Sequence, residues 1–257
     1  MSKTQVYFLG TGTSQGIPVI GSQHPVCLSK NPKDKRLRVS VWIKTPEISI
    51  VIDCGPDFRQ QMLTSGCTAI DALLFTHEHA DHTAGLDDIR PFNFANGALP
   101  IYAHERVLKN LTRRFDYIFE TKNRYPGAPS VVSHEIKENE DFKIANTLIS
   151  PISAFHGNLP IFGFKLENFV YLTDVKTISN AEIEKIKNCE VLVINCLRNE
   201  PHQTHLNLEE ALALIATITP KKTYLTHISH LFGFHDEIQQ QLPENVFVAY
   251  DNLIVNL

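Results

Sequence analysis

Six residues constrain this chain more than any other feature: His77-Glu78-His79-Ala80-Asp81-His82. They follow directly on the apolar, β-like run Ala72–Phe75. In extended chain, residues i and i+2 point the same way, so His77 and His79 can grip one ion. The chain then turns toward Gly85, and Asp81 and His82 can face a second ion beside the first. Three imidazoles and a carboxylate at one strand end have the composition of a metal site.

Other metal-ligand residues stand in equivalent places. His156 follows the run Leu148–Ala154, Asp174 follows Phe169–Leu172, and His227 follows Thr223–Leu225. Strand ends share one rim of a sheet, so separate loops can deliver all of these groups to one point. Further β-like runs are Val39–Lys44, Ile48–Asp53, Phe162–Leu166, Val191–Asn195 and Val246–Ala249. They are rich in β-branched and aromatic residues and are bounded by turn formers. Helices are expected at Asp57–Ser65, at Ala181–Lys187 capped by Asn180, and at Leu208–Ile218 capped by Asn207 with Glu210 completing a capping box. Strands pair early and alternate with helices later. That order predicts an α/β (α+β) fold of two mixed sheets with helices outside, as a single domain over residues 1–257.

Composition sets outer limits. The 257 residues are 43% apolar and 20% charged, which is enough for a full core without cross-links. A net charge of −4 gives no broad field toward polyanions, so general nucleic-acid binding is not expected. The five cysteines (27, 54, 67, 189 and 196) include no Cys-x-x-Cys pair. No signal sequence or membrane-length apolar run is visible, so a reduced, cytoplasmic protein is expected, with no membrane partner. Lys33, Lys35, Arg36 and Arg38 read as a solvated face or as an attractor for a phosphorylated substrate. Arg113–Ser130 reads as a surface excursion, or as a lid or homodimer contact. The Gly10, Gly12, Gly16 spacing is not a dinucleotide fingerprint and reads as a tight turn beneath the metal rim.

The His-x-His-x-Asp-His motif, with the later His156, Asp174 and His227, resembles the metallo-β-lactamase superfamily, whose fold is an αββα sandwich. The opening Phe8-Leu9-Gly10-Thr11-Gly12-Thr13-Ser14-Gln15-Gly16-Ile17-Pro18 and the closing Thr226-His227-Ile228-Ser229-His230 are similar to the phosphoribosyl cyclic phosphodiesterases of phosphonate metabolism, near the tRNA-processing ribonucleases. The resemblance implies two divalent ions, Zn2+ or Mn2+. His77, His79 and His156 would hold the first; Asp81, His82 and His227 the second; Asp174 would bridge them. Asp53 would orient the His77–His82 loop. His205 would act with Asp81 and Asp174 in catalysis, as general acid or phosphate clamp, with His202 a weaker candidate. The substrate would be a small cyclic or nucleotide-like phosphodiester. A thioester hydrolase and a metal-binding module without turnover are the alternatives. The subgroup also carries a structural zinc on Gly-Cys-x-Cys-x-x-Cys. Here the matching positions are Ser22, His24, Cys27 and His230, with His235 close enough in sequence to fill the gap.

Overall fold

A computed structural model describes residues 4–257. The first sheet has seven strands: β1 (Gln5–Gly10), β2 (Ser40–Lys44), β3 (Ser49–Ile52), β4 (Ala72–Leu74), β5 (Leu99–Ala103) and β6 (Val131–Glu135) in spatial sequence, with the last strand of the chain beside β1. The second sheet is built from β7 (Phe142–Ile144), β8 (Thr147–His156), β9 (Leu159–Leu166), β10 (Phe169–Leu172), β11 (Thr177–Ile178), β12 (Val191–Asn195), β13 (Lys222–Thr226) and β14 (Val246–Val248). β15 (Ile254–Asn256) returns to the first sheet. Both sheets are mixed: β1–β3 and β8–β10 pair antiparallel, while β3–β6 and β10–β12–β13–β14 run parallel.

The period-2 alternation of the strands decides the layers. Val6, Phe8, Ile50, Ile52 and Leu74 point inward to meet Phe169, Tyr171 and Val193 of the other sheet. Their neighbours Leu9, Val51 and Leu73 point outward to Phe58, Phe92 and Val107, which lie on helices. In the second sheet Val170, Leu172, Leu192 and Ile194 likewise face Ile183, Ala211 and Ile215 on helices. Runs apolar on both faces therefore produce four layers: the αββα sandwich expected from the resemblance.

Helix caps depart from the sequence reading in two places. The helix Asn180–Ile186 is capped by Ser179, whose side chain accepts the Glu182 N–H, so Asn180 is its first residue. The helix Phe58–Ser65 begins one residue later than expected, and Asp57 makes no side-chain cap. Its carboxylate is taken instead by the backbone N–H and guanidinium of Arg38. Asn207 and Glu210 form the expected capping box. No helix among the described residues is long and apolar enough to cross a membrane.

The Arg113–Ser130 segment starts with a helical turn, Asp116–Phe119. It packs back on the neighbouring helices: Tyr117 donates to Asp87, Arg90 to Tyr125, and the Ser130 N–H to Asn93.

Candidate active site

Loops at the ends of β4, β8, β10 and β13 meet on one rim and bring the predicted side chains together. The ring centres of His77 and His79 are 4.5 Å apart, those of His79 and His156 5.2 Å, and those of His77 and His82 4.2 Å. His82, Asp81 and His227 form one group of converging ligand atoms. Asp174 belongs to two others, one with His77 and His82 and one with His156 and His205. Its Oδ2 lies 3.2 Å from His82 Nε2, and its Oδ1 lies 3.3 Å from His227 Nε2.

Hydrogen bonds fix which nitrogen three of the rings present. Thr204 O can only accept, so the His156 Nδ1 at 2.8 Å carries the proton and Nε2 is left bare. His82 Nδ1 donates to Asp53 Oδ2 at 2.7 Å. Thr76 Oγ1 donates to the same carboxylate at 2.9 Å, so it accepts from His77 Nδ1 at 3.0 Å. Nε2 of His77 and of His82, and both ring nitrogens of His227, are buried with no hydrogen-bond partner. Buried polar atoms are nearly always paired. A group of unpartnered imidazole nitrogens facing carboxylate oxygens fits a divalent cation, which would take the place of any proton on them.

The electrostatics agree. Burial pushes His77 well below the ordinary imidazole range, and burial together with His156 lowers His79. His82 is the exception: burial opposes its charge, but Asp174, Asp81 and Asp53 together hold it well above that range. Burial also opposes charge on Asp174, yet His227 and His82 keep its carboxyl well below the usual range. Carboxylates in this cluster are stabilised by positive charge, the place a cation would take.

Three side-chain-bearing residues of the site adopt left-handed backbone. Asp53, Asp174 and His227 have φ of 63°, 59° and 56°, a region side-chain-bearing residues seldom adopt. Asn195 clamps the turn after Asp174, accepting from Val175 N and donating to Val175 O. A Cβ on Gly55 would lie 2.0 Å from Asp81 O, and one on Gly85 2.2 Å from Gly55 O. Only glycine at both positions lets the Asp53 loop lie this close to the His77–His82 loop.

Asp53 is fully buried behind the His77–His82 loop. His205 lies inside the cluster itself, with Nδ1 3.6 Å from Asp174 Oδ1 and its ring 4.5 Å from that of His156. Burial and the neighbouring His227 push it down to about 3, so it is neutral at pH 7. His202 stands behind it at 5.1 Å between ring centres.

Two expectations are corrected. The basic stretch is no open patch. Arg36 is buried, donating to Thr11 and Ala249 O. Arg38 pairs with Asp57, Lys35 donates to Cys27 O, and Lys33 lies over the Tyr250 ring. These contacts use most of the cationic groups within the fold.

The altered zinc positions are only partly brought together. The rings of His24 and His230 are 5.0 Å apart. Cys27 turns into an apolar cluster with Ile17 and Val26, and its sulfur takes the Val19 N–H. His24 Nδ1 accepts from Val26 N, and Ser22 Oγ from His24 N. Among the described residues, no three ligand atoms converge there as they do at the rim. His235 does not fill the gap, because it faces Arg36 at 3.2 Å.

Residues that sequence reasoning missed are Thr76, Thr204, Arg106 and Arg114. Thr76 and Thr204 orient His77 and His156. Arg114 donates to Glu78 O and Thr83 Oγ1, bracing the His77–His82 loop from the helix Glu105–Arg114.

Residues 49–228 match the Beta-lactamase superfamily domain. The chain therefore belongs to the β-lactamase superfamily, and has the fold of its metallo-hydrolases. A solved diphosphatase of the PhnP family is 35% identical and superposes with a TM-score of 0.93, covering 100% of this chain and 98% of that one. With that relative, the chain falls in the PhnP family. It is also 41% identical over 247 residues to an octanoyltransferase of Porphyromonas gingivalis, matching 95% of this chain and 50% of that protein. A ribonuclease Z of Bacillus licheniformis is 28% identical over 168 residues, 63% of this chain and 48% of that protein. The chain spans about half the length of the curated relatives it matches. Zn2+-bound PqqB of Methylobacterium extorquens shares the fold at 17% identity, with a TM-score of 0.79 over 98% of this chain and 100% of that one.

Proposed function

We propose that this chain is a two-metal phosphodiesterase acting on a small cyclic or nucleotide-like phosphodiester. The observation that carries the reading is the position of Asp174, whose two oxygens face different imidazoles of one continuous His/Asp cluster. Two divalent ions held there would generate a hydroxide at neutral pH and take up charge on the phosphoryl group. His77, His79 and His156 are the donors for one ion and Asp81, His82 and His227 for the other.

The chain's own groups define the rest. Thr76, Asp53 and Thr204 keep the imidazoles in the tautomer that leaves Nε2 free. Neutral His205 donates a hydrogen bond to a phosphoryl or leaving oxygen. An anionic phosphate beside it raises its pKa, because opposite charge favours the protonated ring, and moves it toward proton donation. The names of two relatives, a diphosphatase and a ribonuclease, support phosphate chemistry. The octanoyltransferase name belongs to a protein of which half lies outside the match.

The test is a screen of purified protein loaded with Zn2+ or Mn2+ against cyclic phosphates, diphosphates, bis-aryl phosphates and thioesters. Turnover of a phosphodiester that disappears on chelation supports the reading. Turnover of thioesters alone would replace it with acyl chemistry, and two tightly held ions without any turnover would leave a binding module.

A further inference from the structure

The donors assigned to the first ion come from opposite sheets. His77 and His79 follow β4 of the first sheet, while His156 ends β8 of the second. Their spacing is therefore set by whatever ties the β4 loop to the β8–β9 hairpin. One tie is a backbone bond, Phe162 N–H to Thr76 O at 3.1 Å. Another is a single side chain.

We propose that Arg106 is a positioning residue that holds His156 in register with His77 and His79; the inference rests on the two-metal reading above. Arg106 lies in the first turn of the helix Glu105–Arg114. Its Nη2 donates to Pro160 O of the hairpin at 2.5 Å and lies 3.2 Å from Glu78 Oε2. One guanidinium nitrogen thus touches both halves of the ligand set. Glu78 sits between His77 and His79, where the alternation of extended chain turns its side chain away from theirs. It is not a member of any converging ligand group. Its carboxylate is the handle by which the loop is held, and Arg114 grips the same residue through its carbonyl.

The pair is shielded: the Glu78 and Arg106 side chains are 16% and 32% exposed. Glu78 Oε2 and Arg106 Nε have no conventional hydrogen-bond partner, so the contact is chiefly ionic. Lysine is a poor replacement. Its ammonium is more strongly hydrated and rides a flexible stem, so it loses more freedom in holding both acceptors at once.

The experiment counts metal, with no reliance on turnover. Wild type, Arg106→Ala, Arg106→Lys, Glu78→Gln and His156→Ala are loaded with Co2+. Each is titrated with a chelator while bound metal and the visible absorption of Co2+ are followed. Arg106→Ala should weaken one of the two ions by about 10–100-fold and spare the other, the size expected when a group orienting a ligand is lost. It should affect the same ion that His156→Ala loses, and in the His156→Ala background it should add nothing. Glu78→Gln should reproduce the effect from the other end, and Arg106→Lys should fall between. Two ions held with wild-type affinity in both Arg106→Ala and Glu78→Gln overturn the inference. Equal loss of both ions with lower stability of the metal-free protein would make Arg106 a general structural residue and overturn it too. A wild type that binds no second ion sinks the two-metal reading itself, a result distinct from either.

Discussion

His82 Nδ1 lies 2.7 Å from Asp53 Oδ2, and both side chains are fully shielded from solvent. This contact aims Nε2 of His82 at Asp81 and Asp174. Asp53 receives two further hydrogen bonds, from Thr76 N and Thr76 Oγ1. Burial pushes its pKa up, and these donors with His82 work the other way. Asp53→Ala should therefore weaken metal binding by about 10–100-fold. It should also destabilise the metal-free fold, because each buried donor left unpaired costs about 1–3 kcal/mol. Chelator titration and chemical unfolding measure the two effects. Unchanged metal affinity in the variant would remove Asp53 from the orienting role.

Asp174 and His82 each belong to two of the three ligand clusters, and of the two only Asp174 has two oxygens to offer. Asp174→Ala should lower metal content at both positions and abolish turnover. Two ions per chain by mass spectrometry, with normal turnover, would contradict a bridging carboxylate.

His205 divides two roles. If it acts on substrate, His205→Ala keeps both ions and slows a poor leaving group by about 10²-fold or more. An activated aryl leaving group should lose much less. Its Nδ1 is also close enough to His156 and Asp174 to serve as a ligand. Loss of an ion in His205→Ala would assign it there instead.

The layers and the convergence of histidines and aspartates on one rim were legible in the sequence because both depend on local pattern. Continuous apolar runs in Phe169–Leu172 and Val191–Asn195 specify two buried faces, and histidines and aspartates placed just past strand ends specify a rim. Contacts between distant segments left no such mark. Thr204 acts on His156 from 48 residues away. β5 is disguised by Pro100, and β6, at a sheet edge, carries the half-exposed Val131-Val132-Ser133-His134-Glu135. Arg36 reads as solvated in the run Lys33–Arg38. It is buried because Thr11, 25 residues earlier, and Ala249 and His235, near the other end of the chain, meet it.

That same contact gives a pH prediction. Burial, Arg36 and Lys33 lower His235 to about 4 from 6.5, against the opposing pull of Asp236 and Asp34. Below pH 6.5 the unfolded chain takes up a proton that the folded chain refuses until about pH 4. Stability should therefore fall as pH drops through this window, by up to about 3 kcal/mol from this group. His235→Gln keeps an acceptor for Arg36 but does not titrate. Chemical unfolding of the chelated protein at pH 7, 5.5 and 4.5 should show a shallower acid loss in the variant. Parallel losses in the two proteins would mean that His235 titrates normally in the fold.

The positions aligned with a structural zinc lead to the last prediction. His24 and His230 are neighbours, but Cys27 is packed among Ile17 and Val26, and Ser22 offers only a neutral hydroxyl. A thiolate binds zinc strongly because its charge offsets that of the ion, and structural sites use four protein ligands. A buried thiol in an apolar cluster instead contributes as a small hydrophobe. Cys27→Ser should then lower the melting temperature, because it places a hydroxyl among apolar side chains, and the drop should be the same with and without prior chelation. Ser22→Cys should add neither retained zinc nor stability. The measurements are zinc per chain and melting temperature for wild type and both variants, in a His77→Ala/His82→Ala background that weakens the metal rim. Should chelation lower the melting temperature of that background but not of its Cys27→Ser derivative, a zinc ion is held there after all. Ser22→Cys should in that case gain a ligand, and metal that binds only the folded state should raise its melting temperature further.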